Sequence, residues 1–194
     1  MNTVAFARTA SLALMAAVAT AAAQQPPPDN VARVAAQKEA MAALDALDGQ
    51  WRGTATIDLP NGAKLTTTHT ERIGPLLDGT VKLIEGRSYD KDGATAFNAF
   101  AVISYDPDTK RYSMRSYAQG HVVDAPFETT ADGFAWSMPA GPMRMHYVAT
   151  VNDGAWHETG LRTLPGQLPV PFIEMQLERI GDSDWPQAGA VGRE

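Results

Sequence analysis

The chain has 194 residues, of which 44% are hydrophobic and 8% aromatic, and it carries a formal net charge of −6. It contains no cysteine, which excludes disulfides, thiolate metal sites, cysteine nucleophiles and a lipid anchor attached at a cleaved cysteine. An acidic chain without a basic run argues against nucleic acid and anionic membrane surfaces as partners.

Residues 1–23 read as a signal peptide. Arg8 precedes a run of small apolar residues from Ala10 to Val18, and Ala19-Thr20-Ala21-Ala22-Ala23 closes it. The run is shorter and richer in alanine than the roughly 20 strongly apolar residues of a spanning helix. Its small-x-small end suits cleavage between Ala23 and Gln24, so a soluble periplasmic or secreted protein is expected. Gln24 to Pro28 form a proline-rich linker that cannot be helical. Asp29 and Asn30 then cap a predicted helix through Leu47, with Val31, Val34, Met41, Leu44 and Leu47 on one stripe.

From Trp51 onward the hydrophobic period is two. Ten strands are predicted, at 51–58, 64–73, 80–88, 95–105, 111–118, 121–130, 133–139, 143–151, 155–164 and 172–180. Asn61-Gly62, Asp92-Gly93, Asp132-Gly133 and Asn152-Asp153-Gly154 supply the positive φ angles of tight hairpins. Sequential hairpins make an all-β, up-and-down antiparallel sheet. Closing it into a barrel removes two long exposed edges, with an open two-sheet sandwich as the alternative. Helix and barrel together form one domain over 29–180, and the polar residues 181–194 read as a flexible tail.

Gly49-Gln50-Trp51 at the helix–strand junction, with Arg179 in the last strand, resembles the calycins, the lipocalin and fatty-acid-binding-protein group. The resemblance implies that Trp51 plugs the closed end and that the Arg179 guanidinium packs over its indole, a cation–π contact of order 1 kcal/mol. Gly49-Gln50-Trp51-Arg52-Gly53 before ten strands looks more specifically like uncharacterised secreted bacterial domains of that superfamily, and more distantly like nitrobindins. Nitrobindins carry a haem-ligating histidine near the final strand. Here Phe172 to Ile180 contains none, so haem is not expected, and His157 would be the only ligand to consider.

Alternation places Phe134, Trp136 and Met138 on one face, and Met143, Met145 and Tyr147 on another. Tyr112 with Met114, and Met175 with Ile173 and Leu177, continue the pattern. Turned inward, these side chains either fill the barrel or line a cavity for an apolar or amphipathic guest. His69 and Glu71 share a face with Leu65 and Ile73 and are the candidate polar groups inside such a cavity. No pair among His69, His121, His146 and His157 has metal-ligand spacing, and no nucleophile elbow, phosphate loop or dinucleotide fingerprint occurs. The expectation is therefore a ligand-binding barrel without enzymatic activity, cofactor or metal. A filled envelope interaction module is one alternative, and a haem-binding or weakly enzymatic barrel is the other.

Overall fold

The computed structural model describes residues 29–187; residues 1–28, with the expected signal peptide and proline-rich linker, and residues 188–194 lie outside the described residues. Helix α1, Asn30–Ala42, starts where the Asp29 carboxylate accepts from the Val31 and Ala32 amides at 3.0 and 3.2 Å. Those bonds satisfy two of the free donors at a helix start. Ten strands follow: β1 Gly49–Asp58, β2 Lys64–Leu76, β3 Val81–Tyr89, β4 Thr95–Asp106, β5 Arg111–Ala118, β6 His121–Thr129, β7 Gly133–Ala140, β8 Met143–Asn152, β9 Ala155–Thr163 and β10 Val170–Gly181. Each pairs antiparallel with its chain neighbours, and β1 also pairs with β10. The barrel is closed. A meander with short hairpins reaches that topology without crossovers, and closure leaves no strand edge exposed.

The predicted helix is shorter than its stripe suggested. It stops at Ala42, and a 3-10 turn at Asp45–Leu47 leads into β1. In a 3-10 turn residues three apart eclipse one another. This brings the threefold spacing of Met41, Leu44 and Leu47 to bear on one side, and all three are buried. Val31 and Val34 do not join them: they are 81% and 42% exposed. The first half of α1 stands off the barrel, tied by Arg33 to Asp106 and Asp108 and by Gln37 donating to the Tyr105 carbonyl at 3.1 Å.

Lys82 of β3 fastens this cap. Its side chain is 1% exposed, donates to the Leu44 carbonyl at 3.1 Å and pairs with Asp45 and Asp48 at 3.0 and 2.7 Å. A buried ammonium is tolerated only with such partners. Burial in turn pushes the Asp48 carboxyl above its ordinary value, against the opposing pull of Lys82.

Beneath the cap lies a layer of six aromatic rings, one each from β1, β4, β5, β6, β7 and β9. Trp51 meets Trp156 edge-on at 5.8 Å, and Trp156 meets Phe134 at 5.7 Å. Phe134 stacks on Phe127 at 5.3 Å, Phe127 tilts against Tyr112 at 6.2 Å, and Tyr112 meets Tyr105 at 4.9 Å. Trp51 donates from Nε1 to the Leu47 carbonyl at 2.8 Å, and Tyr112 donates to the Ala40 carbonyl at 2.6 Å. The polar atoms of the layer thus tie the barrel to its cap.

Trp51 and Arg179 are cross-strand partners, on the same face of the sheet. The guanidinium does not engage the indole as the resemblance implied. It lies over Gly49 and donates from Nε and a terminal nitrogen to the Asp48 carbonyl, both at 3.1 Å. Gly49 has φ of +125°, and a Cβ there would stand 2.6 Å from the Gly181 carbonyl oxygen and 2.8 Å from the guanidinium. Only glycine fits. Among the described residues, cation–π contacts occur at Arg72 over Trp185 and Arg115 over Tyr117.

Part of the segment read as a tail is held in place. Trp185 stacks under Arg72 with its carbonyl close to Gly74, and Gln187 donates to the Pro75 carbonyl at 3.1 Å. No helix among the described residues is long and apolar enough to cross a membrane.

Candidate ligand site in the barrel lumen

One step along the barrel from the aromatic layer, the inward side chains become small. Ala55 of β1, Gly86 and Ser88 of β3, Ala99 and Ala101 of β4, Ser116 of β5, Ala125 of β6 and Gly160 of β9 occupy this level. A barrel of eight strands is just filled by ordinary side chains. A barrel of ten strands with this many alanines, serines and glycines has room left inside.

The larger inward side chains facing that room keep accessible surface. Trp136, Met138, Met145, Tyr147 and Glu158 are half-buried although they point into a closed barrel. Glu158 in particular lies deep among β7, β8, β9 and β10, and burial dominates its acidity. A side chain that is deep and still accessible borders open space rather than close-packed protein.

Polar groups converge on this void from two walls. On β2, His69 Nε2 lies 2.8 Å from Glu71 Oε1, and Nδ1 lies 2.7 Å from the Ser88 hydroxyl of β3. With the ring hydrogen on Nε2, His69 donates to the carboxylate and accepts from the serine, so every ring atom is satisfied. The Glu71 carboxylate rests over Gly86, its cross-strand neighbour, in space that any Cβ at 86 would occupy. Its second oxygen, Oε2, is buried and has no hydrogen-bond partner among the described residues.

Around the barrel, past the two strands β1 and β10, Glu158 of β9 accepts from two indoles, Trp136 Nε1 to Oε1 and Trp156 Nε1 to Oε2, each at 3.3 Å. Loss of solvent raises its pKa to about 7, the negative Glu71 adds to the rise, and the indole donors and His69 oppose it. Burial beside Glu158 also pushes the Tyr147 phenol upward. Tyr147 stacks on Trp136 at 3.9 Å with the rings 3° from parallel, and its other neighbour, Phe172, meets it edge-on at 5.8 Å. Gly160 admits the Tyr147 ring, since a Cβ there would lie 2.9 Å from it.

The residues singled out from the sequence therefore divide. His69 and Glu71 meet as a hydrogen-bonded pair, and Trp136, Met145 and Tyr147 stand on the facing wall. Met175, the cross-strand neighbour of Glu158, and Met114, that of Ala125, are buried in the wall between them. Tyr112 belongs to the closed end. Met143 sits at the mouth, in an apolar groove of about 540 Å³ that it shares with Met138, Pro139 and Leu164. His157 faces outward and pairs with Glu174 at 3.0 Å. Among the described residues no three His, Asp or Glu side chains are grouped to hold a metal ion.

Glu158, Trp156 and Ser88 are the site residues that sequence reasoning passed over. The signal was present in Trp156-His157-Glu158: period two puts Trp156 and Glu158 on one face and His157 on the other. Attention to the histidine picked the outer side of the strand.

No protein-family model and no curated protein matches the chain. Among solved structures, the crystal structure of Rv2717c from M. tuberculosis is similar, with a TM-score of 0.56 and 11% sequence identity. The match covers 73% of this chain and 97% of that one. It is consistent with a calycin-like barrel. It carries the fold and nothing finer.

Proposed function

We propose that this protein binds a small amphipathic molecule in the barrel lumen, apolar body against Trp136, Met145 and Tyr147 and polar group toward His69, Glu71 and Glu158. The observation that carries the reading is the unpartnered Glu71 Oε2. A buried carboxylate oxygen without a donor costs on the order of 1–3 kcal/mol or more, and proteins keep such groups where something else supplies the partner. The mouth supports the same reading, because Leu65, Phe97, Val122, Leu168 and Val170 are exposed there. Apolar residues around an entrance favour entry of an apolar guest.

The Ser88–His69–Glu71 chain has the connectivity of a proton relay, but Ser88 lies within β3, whose backbone pairs with β2 on one side and β4 on the other. Binding without chemistry is the simpler use of the cluster. We place the protein, delivered by its signal peptide, in the periplasm or the medium.

The test is uptake of N-phenyl-1-naphthylamine, a neutral apolar dye that brightens out of water. Saturable uptake with one site per barrel is expected, and loss of that signal when Met145→Trp fills the lumen. A dye signal absent from the folded wild type, or unchanged by Met145→Trp, would count against a lumen site. Native mass spectrometry of protein taken from its own compartment should show a co-purified mass.

A further inference from the structure

The lumen reading leaves the ligand's polar group open, and the charges around the void narrow it. Two carboxylates, Glu71 and Glu158, look into the same space from β2 and β9, near enough for the Glu71 charge to favour the protonated form of Glu158. The basic side chain at that level is His69, already committed to Glu71 and Ser88. Arg162, the next inward cation on β9, lies two residues beyond Gly160 toward the mouth and has no carboxylate partner among the described residues. The deep end of the lumen is therefore a place of negative charge lined with acceptors. Glu71 Oε2 lacks a donor, and each Glu158 oxygen receives one indole N–H and keeps a lone pair for another.

We propose, resting on the lumen reading, that the bound molecule is a protonated primary amine on an apolar or aromatic body, its ammonium group seated between Glu71 and Glu158. An ammonium carries three donors, which matches acceptors arriving from two walls. A quaternary ammonium carries the charge but no hydrogen, and would leave Glu71 Oε2 as it is. An alcohol offers a single donor and leaves the charge uncompensated. A carboxylate or phosphate would meet like charge in a space from which water is largely excluded. The stacked Trp136–Tyr147 pair and Met145 supply the apolar wall along which the body lies, and aromatic neighbours favour a cation further.

The arrangement has a consequence for protons. Glu158 holds its proton until about pH 7 in the free protein. An ammonium beside it favours the ionised form, so binding below that pH expels the proton to solvent. Affinity for the amine then rises with pH until Glu158 is ionised. His69, Tyr147 and Glu71 face the same group; His69 is hydrogen-bonded in place, and Tyr147 keeps its phenol proton across this range.

The experiment is calorimetric titration of the full mature protein with three probes of similar size: 2-phenylethylamine, 2-phenylethanol and 3-phenylpropanoate. The amine is expected to bind at least about tenfold tighter than the other two, as charge-assisted hydrogen bonds require. Repeating the amine titration at pH 6 in buffers of different ionisation enthalpy should show close to one proton released, falling toward none at pH 8. Glu71→Gln keeps an acceptor for His69 and should weaken the amine about tenfold with little effect on the alcohol; Glu158→Gln should abolish the proton release. The alcohol or the acid binding as well as the amine overturns the cation assignment and leaves the lumen reading standing. Failure of all three probes while N-phenyl-1-naphthylamine still binds does the same. Failure of every probe, dye included, overturns both.

Discussion

The two levels of this barrel are built from the same strands and do opposite things. At the closed end six aromatic rings touch in sequence beneath Met41, Leu44 and Leu47. Two residues further along the same strands, Trp51 gives way to Gly53 and then Ala55, Tyr112 to Met114 and Ser116, and Phe127 to Ala125 and Val123. The polar atoms of the aromatic layer at Trp51 and Tyr112 find backbone carbonyls. Those of the lumen find one another and leave an oxygen over. The comparison teaches that stability and binding are separated along the barrel axis, with one end spending its volume on packing and the other on space.

The largest effect should come from breaking the packed level. Trp51→Ala removes a fully buried ring and the hydrogen bond to Leu47, and is expected to cost about 4 kcal/mol. Urea denaturation measures it. A loss below about 1 kcal/mol would mean that the aromatic layer does not anchor the barrel.

The packed level was also the more legible one in the sequence. Period-two alternation and hairpin dipeptides are local signals, and they fix both the strand count and which side chains point inward. Gly49 and Trp51 sit at a junction where backbone geometry restricts the choice of residue. The break in the helix after Ala42 was hidden, because it depends on Lys82, forty residues away in β3, reaching the Leu44 carbonyl. The lumen cluster was half visible for the same reason. His69 and Glu71 lie two apart on one strand, whereas Glu158 joins them only through closure of the barrel. Its pairing with Trp136 and Trp156 is a property of register, which alternation within one strand does not specify.

The open level should respond in the opposite direction when its charge is removed. The folded protein holds the Glu158 proton to about pH 7, against 4.5 for the ordinary side chain, so the native state binds a proton more tightly than the unfolded chain does. Stability is then greatest below pH 4.5, falls as pH rises toward 7, and levels off above it, by about 3 kcal/mol. Glu158→Gln removes that fall. At pH 8 the variant should be more stable than the wild type by up to about 3 kcal/mol, and at pH 4 the two should coincide. Denaturation midpoints across pH 4–8 check this, and a wild type whose stability is flat over that range would remove Glu158 from the account.

A smaller and more local break lies at Gly86. A methyl group there overlaps the Glu71 carboxylate, a flexible side chain that can move away. Gly86→Ala should cost about 1–2 kcal/mol, within the range for inserting one carbon into a packed site. More tellingly, it should displace Glu71 from His69. The 15N resonance of His69 Nε2 reports that displacement directly, and an unshifted resonance would show that the carboxylate is not held by the absent Cβ.

The smallest effect is predicted for the histidine on the other side of the same wall. His157 is flanked in sequence by Trp156 and Glu158 yet faces solvent, pairing with Glu174 in a bond whose two side chains are 49% and 54% exposed. Water screens such a pair, and surface ion pairs contribute about 0–1 kcal/mol. The His157 proton bond lowers the Glu174 pKa, so whatever the pair contributes is present above the ordinary carboxylate range and fades as acid protonates Glu174. His157→Ala should therefore change stability at pH 7 by less than about 0.5 kcal/mol and leave amine and dye binding unaltered. If it instead abolished binding, the wall would be turned inside out at β9, and the separation between an inert outer face and a charged lumen would fail at its most direct point of comparison: two adjacent residues, one strand, opposite faces.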